Sequence, residues 1–353
     1  MKKRHLLFIY TSRSTFVKRD IDILNNNYIV DEFQFHPKKK LYTPFIFLSQ
    51  LFFLLKNFNS CNLILIQFGG YHSFLPVLLS KTLGYKCAII AGGVDCVYYP
   101  QIGYGYMGKS LISWFTRFSF RHCNLILPKH ESLIEFEDHF NEPNLKQGLN
   151  HHIRNLETPY KVIPNGFDNY IYKKNSSEKI KNSYITAAIG LDNNTNIKLK
   201  GIDLIISVAT HFPNSSFTII GGELIQDKKN IPSNVLLLPP LNQIDLIEHL
   251  SRSEFYLQLS MSEGFPNGIC EAMLCECIPI GSSVNSIPEI IGENGEILTK
   301  RDTEEFIAVL KRTENRYSNE KGQACRKRII DFYSLENRAS KLLDAVDSLI
   351  QEK

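Results

Sequence analysis

The chain has 353 residues, 43% of them hydrophobic and 22% charged, with 40 Lys and Arg against 36 Asp and Glu for a net charge of +4. An apolar fraction of this size excludes a disordered chain, and so small a basic surplus does not indicate a nucleic-acid partner, although it leaves room for local basic patches facing phosphate or anionic lipid. The length suggests two domains or one large one.

The basic start Met1-Lys2-Lys3-Arg4-His5 leads into Leu6-Leu7-Phe8-Ile9-Tyr10, too short an apolar run for a signal-peptide core and better read as a first strand. Short β-rich runs then alternate with longer helical stretches. Strands are predicted at 5–10, 28–33, 62–67, 86–91, 123–127 and 161–163, and helices at 15–25, 43–57, 73–83, 106–121 and 130–139. The greasiest stretch, Pro44 to Leu55, is broken by Ser49 and Gln50 and falls short of the roughly 20 residues that span a bilayer, so no transmembrane helix is expected. The polar run Tyr172-Lys173-Lys174-Asn175-Ser176-Ser177-Glu178-Lys179 reads as an inter-domain linker. Beyond it strands are predicted near 184–190, 216–220, 234–238, 254–259, 277–281 and 295–298, and helical sequence from about 302 to 350. The fold class is therefore α/β, with two Rossmann-like, doubly wound parallel sheets and the chemistry expected beyond the carboxyl ends of their strands.

Eight cysteines form no Cys-x-x-Cys pair and several sit within apolar runs, as reduced core thiols of a cytosolic protein would. Cys275-Glu276-Cys277 has no His or Cys partner at zinc-site spacing. Asp20-Ile21-Asp22 spells Asp-x-Asp within a predicted helix, where side chains two apart diverge, so no metal is expected there.

The densest chemistry lies in Ser262-Glu263-Gly264-Phe265-Pro266-Asn267-Gly268-Ile269-Cys270-Glu271, after the strand Phe255-Tyr256-Leu257-Gln258-Leu259 and before a helix that Asn267 is expected to cap. A Gly-rich turn into a helix leaves amides free, those of Gly268 and Ile269 among them, which suits a phosphate. Glu271, one turn into that helix, leans back toward its start, and Glu263 stands in the loop before, so both carboxylates can face one pocket.

In this segment the chain resembles the retaining nucleotide-sugar glycosyltransferases of the GT-B fold, specifically the large group marked by an E-x7-E motif, here Glu263 to Glu271. Further landmarks in the same order are Val162-Ile163-Pro164-Asn165-Gly166-Phe167-Asp168, Lys200-Gly201-Ile202-Asp203, Thr218-Ile219-Ile220-Gly221-Gly222 and Ser286-Ile287-Pro288-Glu289-Ile290-Ile291. The resemblance implies two Rossmann-like domains facing a cleft. An acceptor domain would span 1–172, with 336–353 packing back on it, and a donor domain would span 173–335. It implies that Glu263 contacts the transferred sugar, that Glu271 takes the ribose hydroxyls, and that the loop from Gly264 to Ile269 and Lys200 hold the diphosphate. The family arginine after the first strand's glycine is absent, because Leu191 follows Gly190, and Lys198 is the candidate to replace it.

Many members carry His-Gly-x-Asp in the first domain, where this chain reads Gly92-Gly93-Val94-Asp95. Asp95 keeps its place in the pattern and is assigned a catalytic role beside Glu263. Arg13, His72, Tyr98 and Tyr104 are the acceptor-side candidates, the tyrosines for their sugar-stacking faces. The Gly-Gly-x-Asp form resembles a subgroup associated with polysaccharide assembly. Lys38-Lys39-Lys40, ahead of a very apolar helix, offers peripheral contact with an anionic membrane at the inner face of the cytoplasmic membrane, or else that helix is buried in the core. The implied function is metal-independent transfer of a hexose-type sugar from a UDP- or GDP-sugar to a saccharide or lipid-linked saccharide, with retention of configuration and no cofactor. A nucleotide-sugar epimerase or hydrolase, and a non-catalytic nucleotide-sugar-binding protein of polysaccharide assembly, stay open as alternatives.

Overall fold

The computed structural model describes residues 3–108, 110–226 and 230–351, which divide into two compact units. Unit 1 comprises Met1–Phe136, Gln147–Asn165 and Glu336–Lys353, and unit 2 comprises Glu137–Lys146 and Gly166–Leu335.

In unit 1, β1 (His5–Tyr10), α1 (Thr15–Asn27), β2 (Ile29–Gln34), α2 (Thr43–Lys56), β3 (Cys61–Gln67), α3 (Tyr71–Leu83), β4 (Cys87–Ala91), α4 (Leu111–His122) and β5 (Leu125–Pro128) alternate. The strands form a parallel sheet in the order β2-β1-β3-β4-β5. Leu6 to Ile9, Leu63 to Ile66 and Cys87 to Ala91 are buried without alternation, as parallel strands covered on both faces should be. The strand order reverses between β1 and β3, the switch point of this architecture; Arg13 stands in the loop after β1 and His72 in the first turn of α3 after β3.

Three predicted elements differ. The 106–121 helix starts only at Leu111, because Gly105 and Gly108 precede it in the loop and the Ser110 hydroxyl accepts the Ser113 N–H as a cap. Residues 130–139 give a short 3-10 turn at Glu131–Leu133 and then β6 (Phe136–Asp138), since the Asp138 carboxylate accepts the Phe140 and Asn141 amides and bends the chain back into β7 (Leu145–Gln147). A short α5 (Leu149–His152) follows, and 161–163 stays out of the sheet, touching β5 through a single bridge at Tyr160 and the Ile163 amide.

Unit 2 continues with β8 (Ile180–Ala187), α6 (Asn194–Leu199), α7 (Ile202–Ala209), β9 (Ser216–Ile220), β10 (Val235–Leu238), α8 (Gln243–Arg252), β11 (Ser253–Gln258), α9 (Asn267–Leu274), β12 (Ile278–Ser282), α10 (Ile287–Ile291), β13 (Glu296–Leu298), α11 (Thr303–Thr313) and α12 (Asn319–Phe332). Its six parallel strands run β10-β9-β8-β11-β12-β13, reversing between β8 and β11. Tyr184, Phe217 and Phe255 stack across the three central strands at 5.0 and 5.1 Å.

The change of unit falls at Asn165–Gly166, earlier than the 172–173 boundary proposed from the linker. The intervening residues are fastened within unit 2: Phe167 packs near Phe265 and its amide donates to the Tyr333 carbonyl, while Arg326 donates to the carbonyls of Asn169 and Tyr172. Residues 137–146 likewise belong to unit 2, where Asn141 donates to the Met261 carbonyl and the Arg301 amide to that of Phe140. The last helix, α13 (Leu335–Gln351), returns to unit 1 and sends Arg338 into it. The Arg338 guanidinium grips Asp20 through two 2.6 Å bonds and donates to the carbonyls of Ile163 and Pro164. Asp20, half of the Asp-x-Asp, is thus a buried ion-pair partner.

Candidate active site

At the switch point of unit 2 the ends of β8 and β11 face the loops that follow them, and two main-chain contacts lock those loops together. The Met261 amide donates to the Leu199 carbonyl at 2.8 Å, and Gly201, with φ +68°, lies so near that a Cβ would stand 2.2 Å from the Leu259 carbonyl oxygen. Only glycine meets both demands. The result brings Lys200, at the end of α6, to Glu263: Nζ stands 2.6 Å from Oε1.

The same oxygen accepts from the Ser260 hydroxyl at 2.7 Å and the Gln258 amide at 3.1 Å, and the Asn285 side chain accepts the Glu263 main-chain N–H. Among the described residues Oε2 takes no hydrogen bond, so this oxygen retains its capacity to accept a ligand hydroxyl. Gln258, Ser260 and Asn285 are site residues that motif reading missed. The signal was present in the polar Gln258 and Ser260, which follow the apolar run Phe255–Leu257 toward Glu263.

Glu271 lies in α9 as expected, and it is buried. Tyr256 in β11 is fully buried, and its hydroxyl is pushed well up, first by burial and then by the negative charge of Glu271 and Glu263. Gly268 makes room for it, since a Cβ there would lie 2.2 Å from the Tyr256 oxygen. Ile269 is buried and Gly264 offers its carbonyl to Ser286.

One donor-side expectation changes, and the structure sets the surroundings of two further candidates. Asn267 is the first helical residue rather than the cap, because Pro266, with no N–H to satisfy, takes the cap position. Phe265 is a core residue, packed 5.2 Å from Tyr333 and near Phe167, and it anchors the loop from below. Lys198 is exposed on α6, and Leu191, standing where the family arginine would be, is fully buried.

On unit 1, Asp95 is fully buried, and its oxygens accept the amides of Gly69, Gly92 and Gly93 at 2.9, 3.1 and 2.9 Å, so it ties the loops after β3 and β4 together. Burial raises its pKa despite those donors. His72 is also structural: buried against Phe35, it bonds the Gln67 carbonyl at 2.7 Å, and burial pushes it down to about 4. Arg13 pairs with Glu32 at 3.1 Å. Tyr98 and Tyr104 remain partly exposed, the first clamped by Gln147 through both main-chain groups and the second bridged to Tyr99. Lys129, unremarked in the sequence, is buried over the Phe16 ring, and burial brings its ammonium down to about 7.

Among the described residues no group of three His, Cys, Asp or Glu is arranged to hold a metal ion, and no helix is long and apolar enough to cross a membrane.

Comparison with known proteins agrees with this geometry. Residues 190–315 match the sequence family described as Glycosyl transferases group 1. Among curated proteins, the UDP-Gal:alpha-D-GlcNAc-diphosphoundecaprenol alpha-1,3-galactosyltransferase of Escherichia coli is 28% identical over 215 residues, 54% of this chain and 55% of that protein. A phosphatidylinositol N-acetylglucosaminyltransferase component of Arabidopsis thaliana is 23% identical over 174 residues, 45% of this chain and 38% of the relative. The chain thus spans about half the length, or less, of these relatives. Among solved structures, sucrose-phosphate synthase from Thermosynechococcus elongatus superposes with a TM-score of 0.75 at 12% identity, over 99% of this chain and 100% of the other. Anabaena HepE in complex with UDP and glucose gives 0.69 at 12% identity, over 98% and 100%. These superpositions bear out the two-sheet GT-B architecture.

Proposed function

We propose that this chain, a GT-B protein whose residues 190–315 belong to the group 1 glycosyl transferases, transfers a hexose-type sugar from a UDP-sugar to a lipid-linked saccharide with retention of configuration and without a metal. The observation that carries the reading is the Lys200–Glu263 pair at the β8/β11 switch point, beside the amide-rich start of α9. A departing nucleoside diphosphate is a concentrated anion. Lys200, Lys198 and the amides of Gly268 and Ile269 are the groups to receive it, and positioned donors of this kind act mainly on the charge that develops in the transition state. Glu263 Oε2 then takes a hydroxyl of the transferred sugar, and Glu271 the ribose.

UDP is favoured over GDP by the nucleotide in the HepE complex, and the lipid-linked acceptor by the substrate of the E. coli relative. Lys200 supplies the charge that a metal would otherwise bring, which supports metal independence.

The test is the melting temperature of the protein with UDP-, GDP-, ADP- and TDP-sugars in EDTA, beside Lys200→Ala and Glu271→Ala. A ligand at ~100 times its Kd adds about 2.7 kcal/mol of stability. Stabilisation of the wild type by UDP-sugars alone, lost in both variants, is the expected result. Failure of every nucleotide sugar to stabilise the wild type would sink the reading. NMR of the product's anomeric proton then decides retention.

A further inference from the structure

Charge is segregated along this chain in a way that its net value conceals. Residues 33–130 contain ten Lys and Arg and one carboxylate, the fully buried Asp95, while the rest of the chain has 30 basic against 35 acidic residues. The +4 is therefore +9 over one stretch of unit 1 and −5 elsewhere.

The same stretch presents its apolar side chains outward. α2 buries only Gln50 and Leu54. Phe45, Leu48, Phe52 and Leu55, spaced three, four and three apart on one helix face, are exposed, Phe45 to 65% and Phe52 to 72%. Leu41, 80% exposed, extends the stripe into the preceding turn, and α4 adds Leu111 and Trp114 at 65% and 55%. A chain of rings joins the two helices across α3: Phe47 to Phe115 at 6.4 Å, Phe115 to Phe74 at 4.8 Å, and Phe74 to Trp114 at 5.6 Å. Exposed lysines stand at both ends of α2, Lys38 and Lys39 before it and Lys56 in its last turn, while the side chain of Lys40 lies outside the described residues. The alternative of a buried core helix is thereby removed for this face.

We propose that α2 and α4 of unit 1 form a docking surface for an anionic lipid bilayer, with Phe45, Phe52 and Trp114 entering the headgroup boundary and Lys38, Lys39 and Lys56 meeting lipid phosphates. Large apolar side chains rimmed by cations, with no exposed carboxylate among residues 33–130, are what such a surface requires. A second copy of the chain is a poor occupant, because like charge would face like charge across the contact. The proposal deepens the acceptor reading above and rests on it for its purpose, since a lipid-linked saccharide is presented at a membrane surface.

Trp114 is the only tryptophan in the chain, so it reports directly. The full chain is titrated with vesicles of phosphatidylcholine alone and with phosphatidylglycerol added, and co-sedimentation, Trp emission and quenching by brominated lipid are read. Expected are binding only to the anionic vesicles, a blue shift with quenching, and weakening by salt. Lys38→Ser with Lys39→Ser should weaken the partition coefficient about fivefold per lysine. Phe45→Ser with Phe52→Ser should weaken it about tenfold or more. Both variants should keep the wild-type nucleotide-sugar melting shift, which separates failure here from failure of the transferase reading. No quenching and no co-sedimentation with anionic vesicles would overturn the proposal. So would a lipid-free dimer that shields Trp114.

Discussion

Replacing Arg338 with methionine should unfold unit 1 well before unit 2. The guanidinium holds Asp20 by two 2.6 Å bonds and satisfies the carbonyls of Ile163 and Pro164, and both members of the pair are buried. Removing one partner leaves the Asp20 carboxylate in a dry site without its hydrogen-bonded cation, the Lys129 ammonium acting on it only from a distance, which costs about 3–5 kcal/mol. For a unit of this size that is a fall in Tm on the order of 10 °C. The assay is calorimetric and urea unfolding, with a nucleotide sugar added to mark the unit 2 transition. The compensating control is Asp20→Leu combined with Arg338→Met, which removes both charges and should recover most of the loss, because replacing a buried pair by apolar groups is often neutral. A loss below about 1 kcal/mol in Arg338→Met, or a double variant no better than the single, would refute the reasoning.

Gly268→Ala should cost unit 2 about 1–3 kcal/mol by overpacking and weaken donor stabilisation, with Tyr256→Phe as the rescuing second change. The clash is with the hydroxyl oxygen at 2.2 Å, whereas the ring carbon behind it is 3.2 Å away. His72 is depressed to about 4 by burial, so its contribution is fully present above the unfolded value near 6.5 and is lost as pH falls toward 4. Unit 1 should lose up to about 3 kcal/mol across that window, and His72→Gln should flatten this part of a urea-midpoint profile. Seven of the eight cysteines are buried, and burial pushes the thiol of the half-exposed Cys61 up to about 12. Ellman's reagent should therefore react slowly with native protein and promptly with eight thiols in denaturant, and a fast native thiol would contradict the packing.

The sheets were legible because buried parallel strands leave continuous apolar runs: Leu6 to Ile9 and Phe255 to Leu257 are visible in any reading of the sequence. Glu263 and Lys200 were legible through the motifs around them, and their pairing is a matter of the Leu199–Met261 contact, which no local pattern announces. The hydrogen bonds of Asp95 and His72 were illegible for the opposite reason. A polar residue at a strand end looks like a ligand contact in the sequence, and only the fold shows that Asp95 accepts the amides of Gly69, Gly92 and Gly93 and that His72 bonds the Gln67 carbonyl. The packing of the Phe265 ring on Tyr333 was illegible because motif membership does not say which way a ring turns. The outward face of α2 was ambiguous since its apolar residues run all round the helix, and periodicity chooses a buried side only when the other side is polar.

The return of α13 to unit 1 has a consequence for how the chain is made. Asp20 and Arg338 are 318 residues apart, with the whole of unit 2 synthesised between them. At roughly 5–20 residues per second the ribosome takes about 15–60 s to cover that distance, long enough for unit 2 to fold first. Through that interval the nascent unit 1 holds an Asp20 carboxylate that Arg338 has not yet reached. It also presents the Phe45 and Phe52 stripe to whatever surface is nearest. Truncation within α13 should thus yield a chain with a sound unit 2 and a unit 1 prone to capture by chaperones, so unit 1 is closed only after unit 2 has been made.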